Sequence, residues 1–177
     1  VLVGSGLVPN AATREAVMTA LSAGRATVVD GGGLTAFADR PDDLFTLCRG
    51  DVVLTPHEGE FSRLFPDLGP DLGKIDRVRR AAARAKAVIV LKGADTIIGA
   101  PDGRTLINDV ASPYLATAGS GDVLAGLVLG LLSQGMLAYF AAGAAVWFHG
   151  RAGLSIGPGL IAEDLPGAIP ALLRELA

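Results

Sequence analysis

The chain has 177 residues, half of them apolar and only 5% aromatic, with a formal net charge of −3. This length suits one compact domain with a real core, and the Ala/Val/Leu/Gly-rich composition favours helices packed on a sheet over an all-β sandwich. The charge balance gives nucleic-acid binding little support. The single cysteine, Cys48, excludes an internal disulfide framework and fits a reducing cytoplasm, where a thiol with apolar neighbours reads as core.

In chain order, short apolar runs alternate with helical patterns. Residues 1–3 precede a helix over 10–23, residues 27–30 a looser helical stretch over 34–49, and residues 52–55 a helix over 58–65; a helix over 76–87 then leads into an apolar run at 88–91. That alternation is the βαβ signature of a parallel sheet, and runs so short and uniformly apolar are buried strands. The basic run from Arg77 to Arg84 falls on a helical pattern and reads as a solvated face. Beyond Lys92, residues 96–99 and 104–107 flank Pro101-Asp102-Gly103, a turn signal that predicts a β-hairpin. Helices over 121–133, 136–154 and 163–177 close the chain, the last with a bend or restart at Pro166 and Pro170. Ser133-Gln134-Gly135 interrupts the apolar region over 123–148, which therefore predicts two buried helices and no membrane span. Because the chain opens on Val1-Leu2-Val3-Gly4, without a starter Met or a basic leader, it is expected to be a single domain lacking its N-terminal part.

In an open parallel sheet ligands bind beyond the carboxyl ends of the strands. The residues there are Gly4-Ser5-Gly6, Asp30-Gly31-Gly32-Gly33, Thr55-Pro56-His57-Glu58 and Lys92-Gly93-Ala94-Asp95, all polar or glycine-rich. Further on, Gly119-Ser120-Gly121 opens an apolar helix, offering backbone N–H groups at the positive end of a helix dipole, where a phosphate would bind. Asp122 beside them could accept the proton of an attacking hydroxyl. Read alone, Ser120 or Asp122 could equally cap the helix. His57 is either a ligand contact or a satisfied loop histidine, Lys92 either reaches a phosphate or ends its strand in solvent, and His149, beside Trp147 and Phe148, reads as core or interface. No histidine/cysteine cluster has metal-ligand spacing, so no protein-bound structural metal is expected, and no G-x-S-x-G elbow supports a serine hydrolase.

Taken in order, Val3-Gly4-Ser5-Gly6-Leu7, Val29-Asp30-Gly31-Gly32-Gly33-Leu34, Leu54-Thr55-Pro56-His57-Glu58-Gly59-Glu60-Phe61, Val90-Leu91-Lys92-Gly93-Ala94-Asp95-Thr96, Ala118-Gly119-Ser120-Gly121-Asp122-Val123-Leu124-Ala125-Gly126 and Phe148-His149-Gly150 resemble the ADP-dependent NAD(P)H-hydrate dehydratases of the ribokinase-like superfamily. The resemblance implies a three-layer α/β/α sandwich with a mostly parallel central sheet and a C-terminal helical segment. It implies repair of hydrated NADH or NADPH: ADP, or ATP, donates its terminal phosphoryl group to the hydroxyl of the hydrated ring, and phosphate then leaves. Under it, Asp122 would activate that hydroxyl, and Gly119, Ser120 and Gly121 would form the anion hole. Lys92, Gly93, Ala94, Asp95 and Thr96 would hold the nucleotide with Gly121 near its AMP portion, and Gly6 and His57 would contact the hydrated dinucleotide together with Asp122. Magnesium would bridge the phosphates. Composition and the apolar helix over 137–148 predict a cytoplasmic homo-oligomer with no nucleic-acid or membrane partner, and the resemblance adds fusion to or cooperation with an NAD(P)H-hydrate epimerase. The sequence departs from the family pattern in three places: Ser5 and Val8 replace Pro and Gly in the opening loop, Gly32 replaces an acidic residue, and Ser120 replaces Thr. The alternatives are a ribokinase-like kinase of a small vitamin-precursor alcohol, such as a hydroxyethylthiazole or hydroxymethylpyrimidine, and a non-catalytic nucleotide-binding remnant.

Overall fold

The computed structural model describes residues 1–176, and its frame is a six-stranded sheet in the order β1-β2-β3-β4-β5-β6. Strands β1 (Leu2–Val3), β2 (Thr27–Val29), β3 (Val52–Leu54) and β4 (Val88–Leu91) pair in parallel, in the register Val3 to Val29, Val29 to Leu54 and Leu54 to Ile89. The hairpin β5 (Thr96–Gly99) and β6 (Thr105–Asn108) continues the sheet antiparallel, turning through Pro101-Asp102-Gly103 with Gly103 at φ +91°. Alternate strand residues feed two separate cores, as the pleat requires. Val29, Leu54, Ile89, Leu91 and Ile97 face one side and Val28, Val53, Val88, Val90 and Ile98 the other.

Helices α1 (Ala11–Ser22), α2 (Gly32–Thr35), α3 (Pro41–Phe45), α4 (Glu58–Leu64) and α5 (Lys74–Ala85) cover the first face. Helices α6 (Ser120–Ser133) and α7 (Ala138–Ile156) cover the second, and α8 (Leu165–Glu175) packs on α7 away from the sheet. The three-layer α/β/α sandwich with a mostly parallel central sheet expected from the sequence is therefore the observed architecture. Cys48 is buried in the first core, and desolvation pushes its thiol up to about 12.

Several boundaries differ from expectation for local reasons. The loose stretch over 34–49 is two short helices separated by turns, because Pro41 cannot extend a helix from Ala36 and instead starts α3. Asn10 is not in α1 but caps it, its side chain accepting from the Thr13 N–H. The last helix is preceded by a 3-10 turn over Ala162–Asp164; Pro166 falls in its first turn and Pro170 is accommodated without a break, while Ala177 lies outside the described residues. Arg77 is not solvated: it is buried, donates to the Leu68 carbonyl, pairs with Glu58 and lies over the Phe61 ring. Among the described residues no helix is long and apolar enough to cross a membrane.

Helix α7 shapes the wall of the site. A Cβ on Gly150 would overlap the Val110 carbonyl oxygen, and one on Gly153 would press into the Leu115 side chain. These glycines let residues 110–115 lie directly against the helix, which the larger side chains on its other faces do not allow.

Candidate functional site

The carboxyl ends of the four parallel strands converge. Gly4, at φ +110°, approaches the Asp30 backbone so closely that a Cβ there would overlap the Asp30 carbonyl oxygen. One residue on, the Ser5 hydroxyl donates to Asp30 Oδ2 at 3.2 Å, which gives Ser5 a use that proline would lack. Gly32 packs against Leu7, and any side chain at Gly32 would strike the Leu7 carbonyl oxygen, so this chain has no room for the acidic residue the family pattern places there. Val8 is exposed, and its carbonyl accepts from the Thr13 hydroxyl. Gly6, exposed at φ +69°, borders the same turn with nothing within 4 Å of where its Cβ would be.

The β3 and β4 ends are tied together. The Lys92 N–H donates to the Pro56 carbonyl at 2.9 Å, and His57 bridges Lys92 in parallel. His57 caps α4: its Nδ1 accepts from the Gly59 and Glu60 N–H groups, while Glu60 Oε2 accepts from the His57 N–H. Nδ1 is thereby spent on the cap, and the exposed ring has only its Nε2 edge, 3.6 Å from Glu60 Oε1, to offer a ligand.

At the start of α6 the chain turns through Gly119 at φ +83°, and no side chain caps the helix. The alternative in which Ser120 or Asp122 is merely a cap therefore does not describe this turn. The Ser120 hydroxyl and carbonyl oxygens both lie 3.0 Å from His149 Nε2; since a carbonyl can only accept, Nε2 carries the proton and donates to it. His149 is buried, as expected for a core residue, yet it also lines the site. Its pKa lies below the ordinary histidine value because burial disfavours the cation and Lys92 repels it, effects only partly offset by the Ser120 bond. Among the described residues the N–H groups of Gly119 and Gly121 have no acceptor, whereas Ser120 donates to Thr117 and Asp122 to Gly119. Asp122 is exposed in this first turn.

A cavity of about 700 Å³ opens between these parts. Lys92, Gly93, Ala94 and Thr96 form one wall, the 110–117 segment a second, Ser120, Gly121 and Leu124 of α6 with His149 and Gly150 of α7 a third, and His57 stands at its rim. A Cβ on Gly121 would lie 3.4 Å from the Lys92 ammonium, which itself pairs with Asp30 at 2.8 Å. Thr96 is buried, its hydroxyl donating to the Gly93 carbonyl and fixing the turn between them. Gly6, Asp95, Gly119 and Asp122 are not among the lining residues. Asp95 turns instead to Lys74, which donates to its carbonyl at 2.6 Å and to its carboxylate, and that hydrogen bond holds the Asp95 carboxyl below its usual range.

Sequence reasoning assigned no site role to Asp30 or His149. For Asp30 the available signal was a lone carboxylate ending an apolar strand before three glycines; for His149 it was the adjacent Gly150, which keeps the cavity wall close.

Among the described residues, no group of three or more His, Cys, Asp or Glu could hold a metal ion. The single exposed carboxylate at the α6 turn fits an ion carried mainly by phosphates and water, the usual mode for magnesium beside a nucleotide.

Residues 1–165 match the Carb_kinase family, described as NAD(P)H-hydrate dehydratase. The chain is 40% identical over 185 residues to the bifunctional NAD(P)H-hydrate repair enzyme Nnr of Moorella thermoacetica, an alignment covering 98% of this chain and 34% of that protein, so it spans about a third of that relative's length. It also resembles the ADP/ATP-dependent NAD(P)H-hydrate dehydratase of Bacillus subtilis, crystallised with ATP and Mg2+ and soaked with CoA, at a TM-score of 0.83 and 29% identity, covering 99% of this chain and 66% of that one. A ribokinase-like superfamily protein from Enterococcus faecalis gives a TM-score of 0.86 and 26% identity over 99% of this chain and 63% of that one.

Proposed function

The chain belongs to the NAD(P)H-hydrate dehydratase family, and from that membership we propose that it is an ADP- or ATP-dependent dehydratase of hydrated NADH and NADPH. The observation that carries this reading is the uncapped N-terminus of α6, where acceptor-free N–H groups and the Lys92 ammonium stand together beside an exposed carboxylate. The Lys92 charge, paired with Asp30 on one side, lies beside helix N–H groups that have no acceptor, an arrangement favourable for a phosphate chain.

In this reading the nucleotide lies in the cavity, held by Lys92, Gly93, Ala94 and Thr96, and its terminal phosphoryl group meets the N–H groups of Gly119 and Gly121. Asp95 acts on this wall from behind, through its bond to Lys74. Magnesium, when bound, would neutralise phosphate charge beside Asp122. The hydrated dinucleotide lies toward Gly6 and the Nε2 edge of His57, with its ring hydroxyl against Asp122.

Asp122 takes the hydroxyl proton as the new O–P bond forms and the bond to the departing nucleotide breaks, releasing AMP from ADP or ADP from ATP. A carboxylate is too weak a base to remove an alcohol proton outright, so its help comes late in a loose transfer, and positioning supplies most of the acceleration. The ring nitrogen then pushes out phosphate, a ring proton is lost, and the reduced nicotinamide is restored. Cooperation with an NAD(P)H-hydrate epimerase and self-association through the exposed Leu137 and Phe140 of the α7 start complete the proposal.

Asp122→Asn tests it. The variant should lose at least about 100-fold in turnover of hydrated NADH with ADP, as expected for removal of a general base, while still binding ADP in a calorimetric titration. Retained turnover would show that Asp122 is not the base.

A further inference from the structure

Asp30 is buried at the end of β2, 3% exposed, and every observed contact of its carboxylate goes to a different strand end. Oδ1 accepts from Lys92 Nζ at 2.8 Å and from the Thr55 hydroxyl at 2.7 Å, and Oδ2 accepts from the Ser5 hydroxyl at 3.2 Å. Such a network does more than satisfy a buried charge. Lys92 Nζ sits close to Gly121, at the positive end of α6, where the dipole repels an ammonium on a long flexible stem. Without an anchor that stem would swing toward solvent.

We propose that Asp30 is a positioning residue that fixes the Lys92 ammonium against the first turn of α6 and balances its charge, so that the cation already stands where the transferring phosphoryl group arrives. This role rests on reading the cavity as the nucleotide site and is separate from that of Asp122. The Thr55 and Ser5 donors lock the carboxylate itself, which makes the lysine's position a property of the sheet edge and not of the lysine's own rotamers.

Asp30→Asn is close to isosteric: its amide oxygen can still accept from Lys92 and Thr55, and its NH2 can donate to the Ser5 hydroxyl. The ammonium charge is then uncompensated and loosely held. ADP and ATP, whose phosphate chains reach Gly121, should bind roughly 3- to 10-fold more tightly, AMP should change by less than about 2-fold, and kcat should fall at least about 10-fold as the cation follows the ground-state phosphates instead of holding its place. In a Lys92→Met background, Asp30→Asn should no longer change the ratio of ATP to AMP affinity. Uniform weakening of all three nucleotides, or an unchanged ratio in the single variant, would overturn the role of Asp30 while leaving the nucleotide site standing. Failure of the wild-type chain to bind ATP at all would overturn the site reading and this inference with it. Should Asp30→Asn not fold, side-chain 15N NMR of the wild type decides instead: a slowly exchanging Lys92 ammonium signal that moves with ATP and not with AMP is expected, and a fast-exchanging, solvent-like signal would overturn the proposal.

Discussion

His149 shows how a single residue's reading changes once its partner is known. Its neighbours in sequence, Trp147 and Phe148, point to a core position, and it is buried; but Ser120, 29 residues away, turns it into the support of the α6 turn. Because burial depresses its pKa, the unfolded chain takes up this proton first as the pH falls below the ordinary value of 6.5. The stability due to neutral His149 is thus complete above that value and is lost as the pH drops through the depressed folded one. His149→Gln keeps an N–H donor for the Ser120 carbonyl and does not titrate. Between about pH 8 and about pH 5.5 the wild-type melting temperature should fall further than that of the variant; equal falls would show that His149 is not held neutral. Asp30 was obscure in the sequence for the same physical reason, since its partners Ser5, Thr55 and Lys92 lie 25, 25 and 62 residues away and no periodicity links them. Asp122 and Lys92, by contrast, were singled out by motif and strand-end position, and whether a side chain caps the α6 turn is answered by its hydrogen bonding.

At the level of elements, short apolar runs identified all four parallel strands, and the Pro-Asp-Gly turn identified the hairpin, because these signals are local. The stretch over 34–49 was less legible, since its apolar residues are dictated by packing under the sheet and its helical pieces, α2 and α3, are too short to show a period. Gly150 and Gly153 of α7 likewise carry a meaning that only packing reveals: they admit the 110–115 segment that walls the cavity. Gly150→Ala would drive a methyl group into a backbone carbonyl that has little freedom to yield. The change should cost toward the upper end of the about 1–3 kcal/mol typical of overpacking, read as a lower urea midpoint, and should weaken ADP binding more than an exposed substitution such as Gly126→Ala. An unchanged midpoint would mean that the 110–115 segment is free to move off the helix.

For the whole molecule, the fold brings the ends of β3 and β4 and one helix N-terminus to a single cavity, with the β1 and β2 ends tied behind Lys92 through Asp30. The same frame, α6 turn included, would serve a small-alcohol kinase or a nucleotide-binding module, so architecture alone does not choose among them; family membership favours the dehydratase. Because the chain spans about a third of its Moorella relative, the activity belongs to the chain itself only if its own sheet edge suffices to bind the hydrated dinucleotide. The decisive measurement is to incubate the protein with hydrated NADH and ADP and follow the absorbance of reduced nicotinamide. Recovery of that absorbance, with AMP and phosphate formed in equal amounts, is the predicted result; no recovery with either ADP or ATP, or phosphorylation of a hydroxyethylthiazole in its place, would contradict it.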